Sequence, residues 1–378
     1  MSWKEVSIVS LRKEFVMLAI SNNSNIRELC SSYGITPRTG YKWLRRFKAQ
    51  GEEGLADHSR RPVHSPSQTP PDIEQAVLDV RTKHPAWGGR KIRAYLLARG
   101  HERLPSPSTI TAILKRHGGI DPQEAAKHSP WQRFEHEAPN KLWQMDFKGH
   151  FPISSGRCHP LTVLDDHSRF ALGLEACGDE RGETVKERLT AIFRRYGLPE
   201  RILADNGGPW GYDGDHPYTS LSIWLLRLDI GVSHGRAYHP QTQGKDERFH
   251  RTFKAEVLRD YSFVDLQGCQ KAFDSWRDIY NLERPHEALK LATPASRYQL
   301  SPRSFPEVLP AIEYGPDDMV RKVQDQGRIS FRGRRFGIGK AFIGSPVALR
   351  PTLDDHIWEV FFCHHKVATI DLNCPDEV

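Results

Sequence analysis

Three acidic residues, far apart in the chain, sit where their side chains could do chemistry. Asp146 lies in the alternating run LWQMDFKGHF, Asp205 ends the strand-like PERILADNGG at a glycine-rich loop, and Glu247 lies in KDERFHRTFKAEVLRDY. In that last segment Phe249, Phe253 and Val257 share one helical face, while Glu247, Arg251 and Lys254, at i, i+4 and i+7, project together on another. Carboxylates delivered by separate elements can enclose hard divalent cations such as Mg²⁺, whereas His and Cys favour zinc. A pair of such ions can activate one oxygen and neutralise another in phosphodiester chemistry, so no Ser-His-Asp or Cys-His signature is required. Taken singly, each acid has a plainer reading. A strand-end Asp is usually a turn former, and a Glu flanked by two cations is usually part of a surface ion-pair stripe. Asp165 and Asp166, in DDHSR, read as hairpin-turn residues that bond their own backbone. His234, His239 and His250 read as hydrogen-bonded structural histidines, and the adjacent His364 and His365 point to opposite faces of a strand and cannot share a metal. The six cysteines are widely spaced with no C-x-x-C pair. That excludes a Cys-based zinc ribbon or a disulfide scaffold and fits a reducing compartment.

The elements that carry the acids follow from periodicity. After LWQMDFKGHF, LTVLDDHSRFALGLEA reads as a hairpin turning at Asp165 to Arg169. TVKERLTAIFRRYG reads as an amphipathic helix ended by Gly197, and PERILADNGG as a short strand. Three strands, helix, strand, helix is an α/β order with mixed pairing, assigned to residues 141–300. Residues 318–373 alternate apolar and polar in five short strands, which predicts a small β-barrel or sandwich, the barrel preferred, whose Arg332, Arg334 and Arg335 make one hairpin basic.

The front of the chain is helical and basic. In NIRELCSSYGITPRTGYKWLRRFKAQG, Gly34 permits a tight turn and Thr36-Pro37 starts a second helix that Gly51 closes. Helix, glycine-containing turn, helix is the helix-turn-helix pattern, assigned to residues 1–56. Its second helix exposes Arg38, Thr39, Lys42, Arg45, Arg46 and Lys48, with Tyr41, Leu44 and Phe47 expected inside. Early residues of such a helix face base edges and later cations face phosphates. Residues 57–71 form a Pro-rich linker. Residues 72–117 hold three short helices, the last capped by Ser108, that read as a second DNA-binding module or a helical bundle joining domains. Residues 118–140 are a second linker. Residues 1–130 hold 21 Lys or Arg against 12 Asp or Glu, leaving 33 against 35 in the remainder, so the net charge of +7 resides at the front. The 378 residues, with 38% hydrophobic and 27% charged, suffice for several folded cores. No apolar stretch reaches membrane-spanning length and no signal peptide precedes the fold, which predicts a cytoplasmic protein with no membrane partner.

Together, WQMDFKGHF, ILADNG and GKDERFHRTFKAE, followed by YNLERPHEAL and TPASRY, resemble the integrase-type catalytic core of DDE transposases of bacterial insertion sequences, relatives of retroviral integrases. The resemblance covers residues 130 to 300, and the helical front end by order of domains. It implies an RNase H-like core in which Asp146, Asp205 and Glu247 are catalytic and hold two Mg²⁺, with Mn²⁺ able to substitute. Lys254 matches a basic position used to hold DNA near the scissile phosphate, and Arg251 on the same face is assigned to DNA with it. Asp246 is rotated by about 100° from Glu247 and Glu256 lies past the motif, so neither is the expected ligand. The 41 residues between Asp205 and Glu247 exceed the family's usual spacing, which places an insertion in GGPWGYDGDHPYTS. Arg284 to His286 resembles a family motif but is assigned only packing after a proline turn. The resemblance implies a transposase that binds double-stranded DNA at its element's ends and in the target, and works as a homo-oligomer assembled on DNA. The readings set against it are a DNA-binding regulator with a catalytically silent core and an RNase H-like nuclease.

Overall fold

Thr36 and Pro37 start a helix as their types dictate. The Thr36 hydroxyl accepts the Thr39 amide, Pro37 occupies the first turn, and the helix α3 runs Pro37–Gln50. A computed structural model describes residues 8–21, 24–57, 68–120, 135–205, 207–211, 218–234, 244–259 and 262–373. It separates residues 1–68 from residues 69–378 as two compact units.

In the first unit α3 packs with α1 (Ile8–Ile20) and α2 (Ile26–Ser32), and Gly34, at φ 63°, makes the turn between α2 and α3. The helix α1 supplies Phe15 and Val16 to a core completed by Cys30, Trp43, Leu44 and Leu55. A Cβ on Gly40 would meet the Cys30 sulfur at 2.5 Å and the Phe15 ring at 2.8 Å, so α3 crosses its partners at backbone contact. The inward face of α3 differs from expectation. Tyr41 is 56% exposed and Trp43 is buried, because Trp43, Leu44 and Phe47 form the stripe that meets α1.

The second unit begins with α4 (Pro71–Lys83), α5 (Gly89–Leu97) and α6 (Pro107–Arg116) around buried Trp87, Ile92 and Ile110. Ser106, two residues before the expected Ser108, caps α6 by accepting the Thr109 amide. The sheet that follows contains β1 (Trp143–Phe147), β2 (Phe151–Ile153), β3 (Gly156–Asp165), β4 (Ala171–Cys177), β5 (Arg201–Ala204) and β6 (Gly231–His234). Strands β1 to β4 pair antiparallel through β3, while β1, β5 and β6 run parallel, as the mixed order of the sequence predicts. Alternation along β1 and β3 sends Trp143, Met145, Leu161 and Val163 against α7 (Gly182–Tyr196) and α8 (Ser220–Arg227). The opposite face of the sheet, with Leu164, Leu174 and Ala176, carries α9 (Gly244–Phe253) and α10 (Leu266–Asp278) through Phe249, Phe253 and Phe273. Past residue 300 the chain still packs on this core: Leu198 donates to the Arg303 carbonyl, and Phe305 and Leu309 cover α7.

The C-terminal region has six strands where five were expected. β7 (Met319–Lys322), β10 (Pro346–Pro351), β11 (Ile357–Phe362) and β12 (His365–Asp371) form a four-stranded antiparallel sheet, and β8 (Arg328–Phe331) pairs with β9 (Arg334–Gly337) in a separate hairpin. The expected small barrel is thus realised as two sheets, with no closed ladder among the described residues. They share one apolar cluster, from Ile329 and Phe331 to Val347, Val360 and Phe362. No helix among the described residues is long and apolar enough to cross a membrane.

Candidate active site

Trp143 and Met145 of β1 point into the α7–α8 core, so Gln144 and Asp146 point to the face covered by α9. Parallel pairing sets Trp143 beside Ile202 and Gln144 beside Leu203. Carried two residues further, that register brings Asp205, immediately after β5, beside Asp146. Both lie at the carboxyl ends of parallel strands, where open α/β sheets form their crevice. Glu247 is exposed in the first turn of α9.

The electrostatics link the three. The Asp146 carboxyl is pushed up to about 7, first by burial and then by the negative charge of Asp205, with Glu180 and Glu247 adding to it and the Phe147 amide opposing. Among the described residues, no three His, Cys, Asp or Glu side chains close to ligating distance around one point. Asp205 and Glu247 therefore each lie within electrostatic reach of Asp146, without a closed cage among the described residues.

A buried polar layer lies behind them that the sequence reading did not find. Asp246 is 1% exposed, and burial, followed by the charges of Asp146 and Asp166, raises its carboxyl well above the usual range. Its Oδ1 is buried with no hydrogen-bond partner. Asp165 behaves as the turn residue expected, accepting from the Ser168 amide at 2.7 Å and from the Asn140 amide at 2.7 Å. Asp166 does more than turn the chain. It is buried, accepts from Gln144 Nε2 at 2.6 Å and the His136 amide at 2.9 Å, and pairs with Lys245 of α9. Burial, more than the nearby Arg169, pushes the Lys245 amine down to about 8.

Two further groups border Asp146. Thr162, opposite it on β3, donates its hydroxyl to the Asp146 carbonyl at 2.9 Å, so toward His250 Nε2, also at 2.9 Å, that hydroxyl accepts. This places the imidazole proton on Nε2 and turns the bare Nδ1 toward Asp146 Oδ2, 3.9 Å away. Burial, then the Lys148 charge, depresses His250 to about 4, so it is neutral. His250 is thus the hydrogen-bonded histidine the sequence predicts, and His234 Nδ1 bonds the Asp205 carbonyl at 3.0 Å. His239 lies outside the described residues. Lys148, unnoticed in the sequence, has its ammonium disfavoured by burial and then by Lys254, which sets the two cations within reach of one another. Arg251 and Lys254 are exposed on the same helix as Glu247.

In the first unit Arg38, Lys42 and Arg45 are exposed along α3, while Thr39 is half-buried and its hydroxyl bonds Thr36. Lys42 and Arg46 lie over the Trp43 ring, with Arg12 of α1 at 3.9 Å from its centroid, which holds the basic face in a fixed shape.

The chain resembles known families segment by segment. Residues 318–376 match the IS481 family transposase C-terminal domain, and residues 136–240 and 228–294 each match an integrase core domain. Residues 11–62 match a helix-turn-helix domain and residues 39–114 a homeodomain-like domain. The chain is 27% identical over 158 residues to an uncharacterized 31.7 kDa protein of insertion element IS407 from Burkholderia multivorans, covering 42% of this chain and 55% of that one. It is 24% identical over 387 residues to the transposase for transposon Tn552 from Staphylococcus aureus, covering 89% and 77%. This chain thus spans about half the length of the IS407 protein. Among solved structures, the HTLV-2 integrase catalytic core domain in complex with magnesium aligns at 18% identity and TM-score 0.33, over 43% of this chain and 99% of that one.

Proposed function

We propose that this chain, which belongs to the integrase-type DDE transposases of insertion elements, binds the ends of its element and there cleaves and joins DNA strands. The observation that carries the reading is the half-buried Asp146 at the carboxyl end of β1, which feels the negative charges of Asp205 after β5 and Glu247 on α9. An RNase H-like core is the fold that the mixed sheet supports. The donor set fits a hard divalent ion: the carboxylates crowd one another, and the partnerless Oδ1 of Asp246 is buried beside them. Asp146, Asp205 and Glu247 would hold Mg²⁺, or Mn²⁺ in its place. When bound, two such ions make an attacking oxygen more acidic and neutralise a leaving one.

The chain's own residues prepare that chemistry. Asp146 would release its proton to act as a ligand, and the unprotonated Nδ1 of neutral His250 stands beside its carboxyl without adding positive charge to it. Lys148 and Lys254 together bind the phosphate beside the scissile bond, and Arg251 extends that contact along the strand. Hydrolysis frees a 3′-hydroxyl, and that hydroxyl then attacks a target phosphodiester, displacing a 3′-oxygen from it. The α3 face of Arg38, Thr39, Lys42, Arg45 and Arg46, with the α4–α6 module, reads the element end. Two ends joined in concert call for a homo-oligomer assembled on double-stranded DNA.

The test supplies purified protein with element-end duplex and Mg²⁺ and compares wild type with Glu247→Gln. Strand joining by wild type, lowered at least about a hundredfold in the variant with end binding unchanged, supports the reading. Specific end binding without cleavage in any divalent ion would replace it with a regulator.

A further inference from the structure

The segment Ile279–Leu289, which contains the sequence's LERPHEAL, has no part in the chemistry above, yet it is engaged on two sides. On one side Glu283 Oε2 accepts from Tyr95 Oη at 3.3 Å and pairs with Arg99 at 3.4 Å and Lys83 at 3.9 Å, groups carried by α4 and α5 and the turn that follows. Glu287 pairs with Arg90 at 3.8 Å. Ile279 packs against the apolar cluster of α4–α6. Lys91 is half-buried at this junction near Arg284, Glu256 and Glu287, and its desolvation lowers the amine to about 8. Even partial burial of an ammonium is costly, which argues against a passing contact.

On the other side the same segment grips the helix of the third acid. Arg284 Nε meets Glu256 Oε1 at 3.2 Å, with both side chains about one-tenth exposed, and the other Glu256 oxygen accepts from Trp276 Nε1 at 2.9 Å. Glu256 lies in the π-helical turn Lys254–Leu258 that continues α9 directly from Phe253. An unbroken chain of contacts thus runs from α5 through Glu283, Arg284 and Glu287 to Glu256 and on to Glu247. Lys83, Arg90 and Arg99 thus turn toward the core segment, while α6 exposes Ser108, Thr109, Ala112 and Lys115 on another face of the module.

We propose that Glu283, Arg284 and Glu287 form a seat that fixes the α4–α6 module in register with the helix bearing Glu247. In that role the seat, and not the length of the 118–140 segment, sets the distance along DNA from the sequence read by the module to the bond that is cut. These are positioning residues, and the second half of the proposal rests on the transposase reading.

The full-length protein tests it in two arms. Without DNA, Glu283→Lys should speed amide exchange in α5 by about fivefold or more while α7 and α10 keep their protection. Adding Lys83→Glu and Arg99→Glu to that variant should restore the protection. With element-end duplex and Mg²⁺, Glu283→Lys should scatter cuts over neighbouring nucleotides where wild type cuts at one, and the triple variant should bring them back. If Glu283→Lys loosens the whole core, Glu287→Lys, at the exposed pair with Arg90, replaces it. Unchanged α5 exchange overturns the seat, and a single unchanged cut position despite faster α5 exchange overturns its role as a ruler. If wild type cuts no DNA, the transposase reading fails, while the exchange arm still decides the docking.

Discussion

Asp146→Asn should stabilise the metal-free protein at alkaline pH relative to wild type. The Asp146 carboxyl titrates at about 7 when folded, against an ordinary 3.8. A folded-state pKa raised in this way contributes stability that is whole below about pH 4 and is lost as pH rises through about 7, because over that window the folded chain holds a proton that the unfolded chain has released. Between pH 5 and 7 the loss would be about 2.7 kcal/mol at about 1.36 kcal/mol per unit. The side chain is 26% exposed, so solvent screening reduces this by half or more, to about 1 to 1.5 kcal/mol. At about 2 to 4 °C per kcal/mol for a unit of this size, that is about 2 to 6 °C of melting temperature. The assay is thermal unfolding in a chelator at pH 5 and pH 8.5 for both proteins. Wild type should lose that much relative to Asp146→Asn between the two conditions. Added Mg²⁺ at pH 8.5 should restore wild type more than the variant, since a ligand stabilises the state that binds it. Parallel pH profiles for the two proteins would refute the raised Asp146 carboxyl and the crowded, half-buried site it reports.

Other outcomes follow from single contacts. Asp246→Asn exchanges one uncharged buried group for another of the same shape, so melting should stay within about 2 °C of wild type at pH 7, whereas a large loss would show that Asp246 is ionised. Thr36→Ala removes the cap of α3 and should cost the first unit about 1 kcal/mol, seen as a lower melting transition of that unit. Lys42→Ala should lower the slope of log affinity against log salt for element-end DNA by about 0.9, and an unchanged slope would remove Lys42 from the phosphate contacts.

Much of the architecture was legible because periodicity has local causes. The alternation in β1 and β3 and the Phe249–Phe253–Val257 spacing of α9 each encode one buried face, and the structure packs those faces on opposite sides of the same sheet. Capping was legible in type but less so in position. Thr36 caps α3 as read, while at α6 Pro107 already occupies the first turn, so Ser106 before it is the cap and Ser108 falls inside the helix. The inward face of α3 was misread by choosing Tyr41, Leu44 and Phe47 as an i, i+3, i+6 stripe. A tryptophan two residues on offers more apolar area, and the rotation that buries Trp43 turns Tyr41 out. Barrel closure was not legible at all, because alternation specifies which face of a strand is buried and says nothing about which edges pair.

At the site, spacing alone identified Asp146, Asp205 and Glu247 only as candidates, since each had a commoner reading. Their coupling arises from the parallel register of β1 with β5, a long-range pairing that no local pattern records. The supporting layer was hidden for a different reason. Asp166, Lys245 and Asp246 are charged residue types, and charged types are expected outside unless paired. Here Lys245 and Asp166 become buried together because each is the other's partner, and that pair ties the first turn of α9 to the end of β3. Asp246 can then be buried next door in its neutral form, since ionising it would add a third negative charge to those of Asp146 and Asp166. With Lys245 and Asp246 locked inward, the helical twist forces Glu247 outward, onto the exposed face it shares with Arg251 and Lys254. The direction of the third acid is therefore fixed by the two residues that precede it on α9, Lys245 and Asp246.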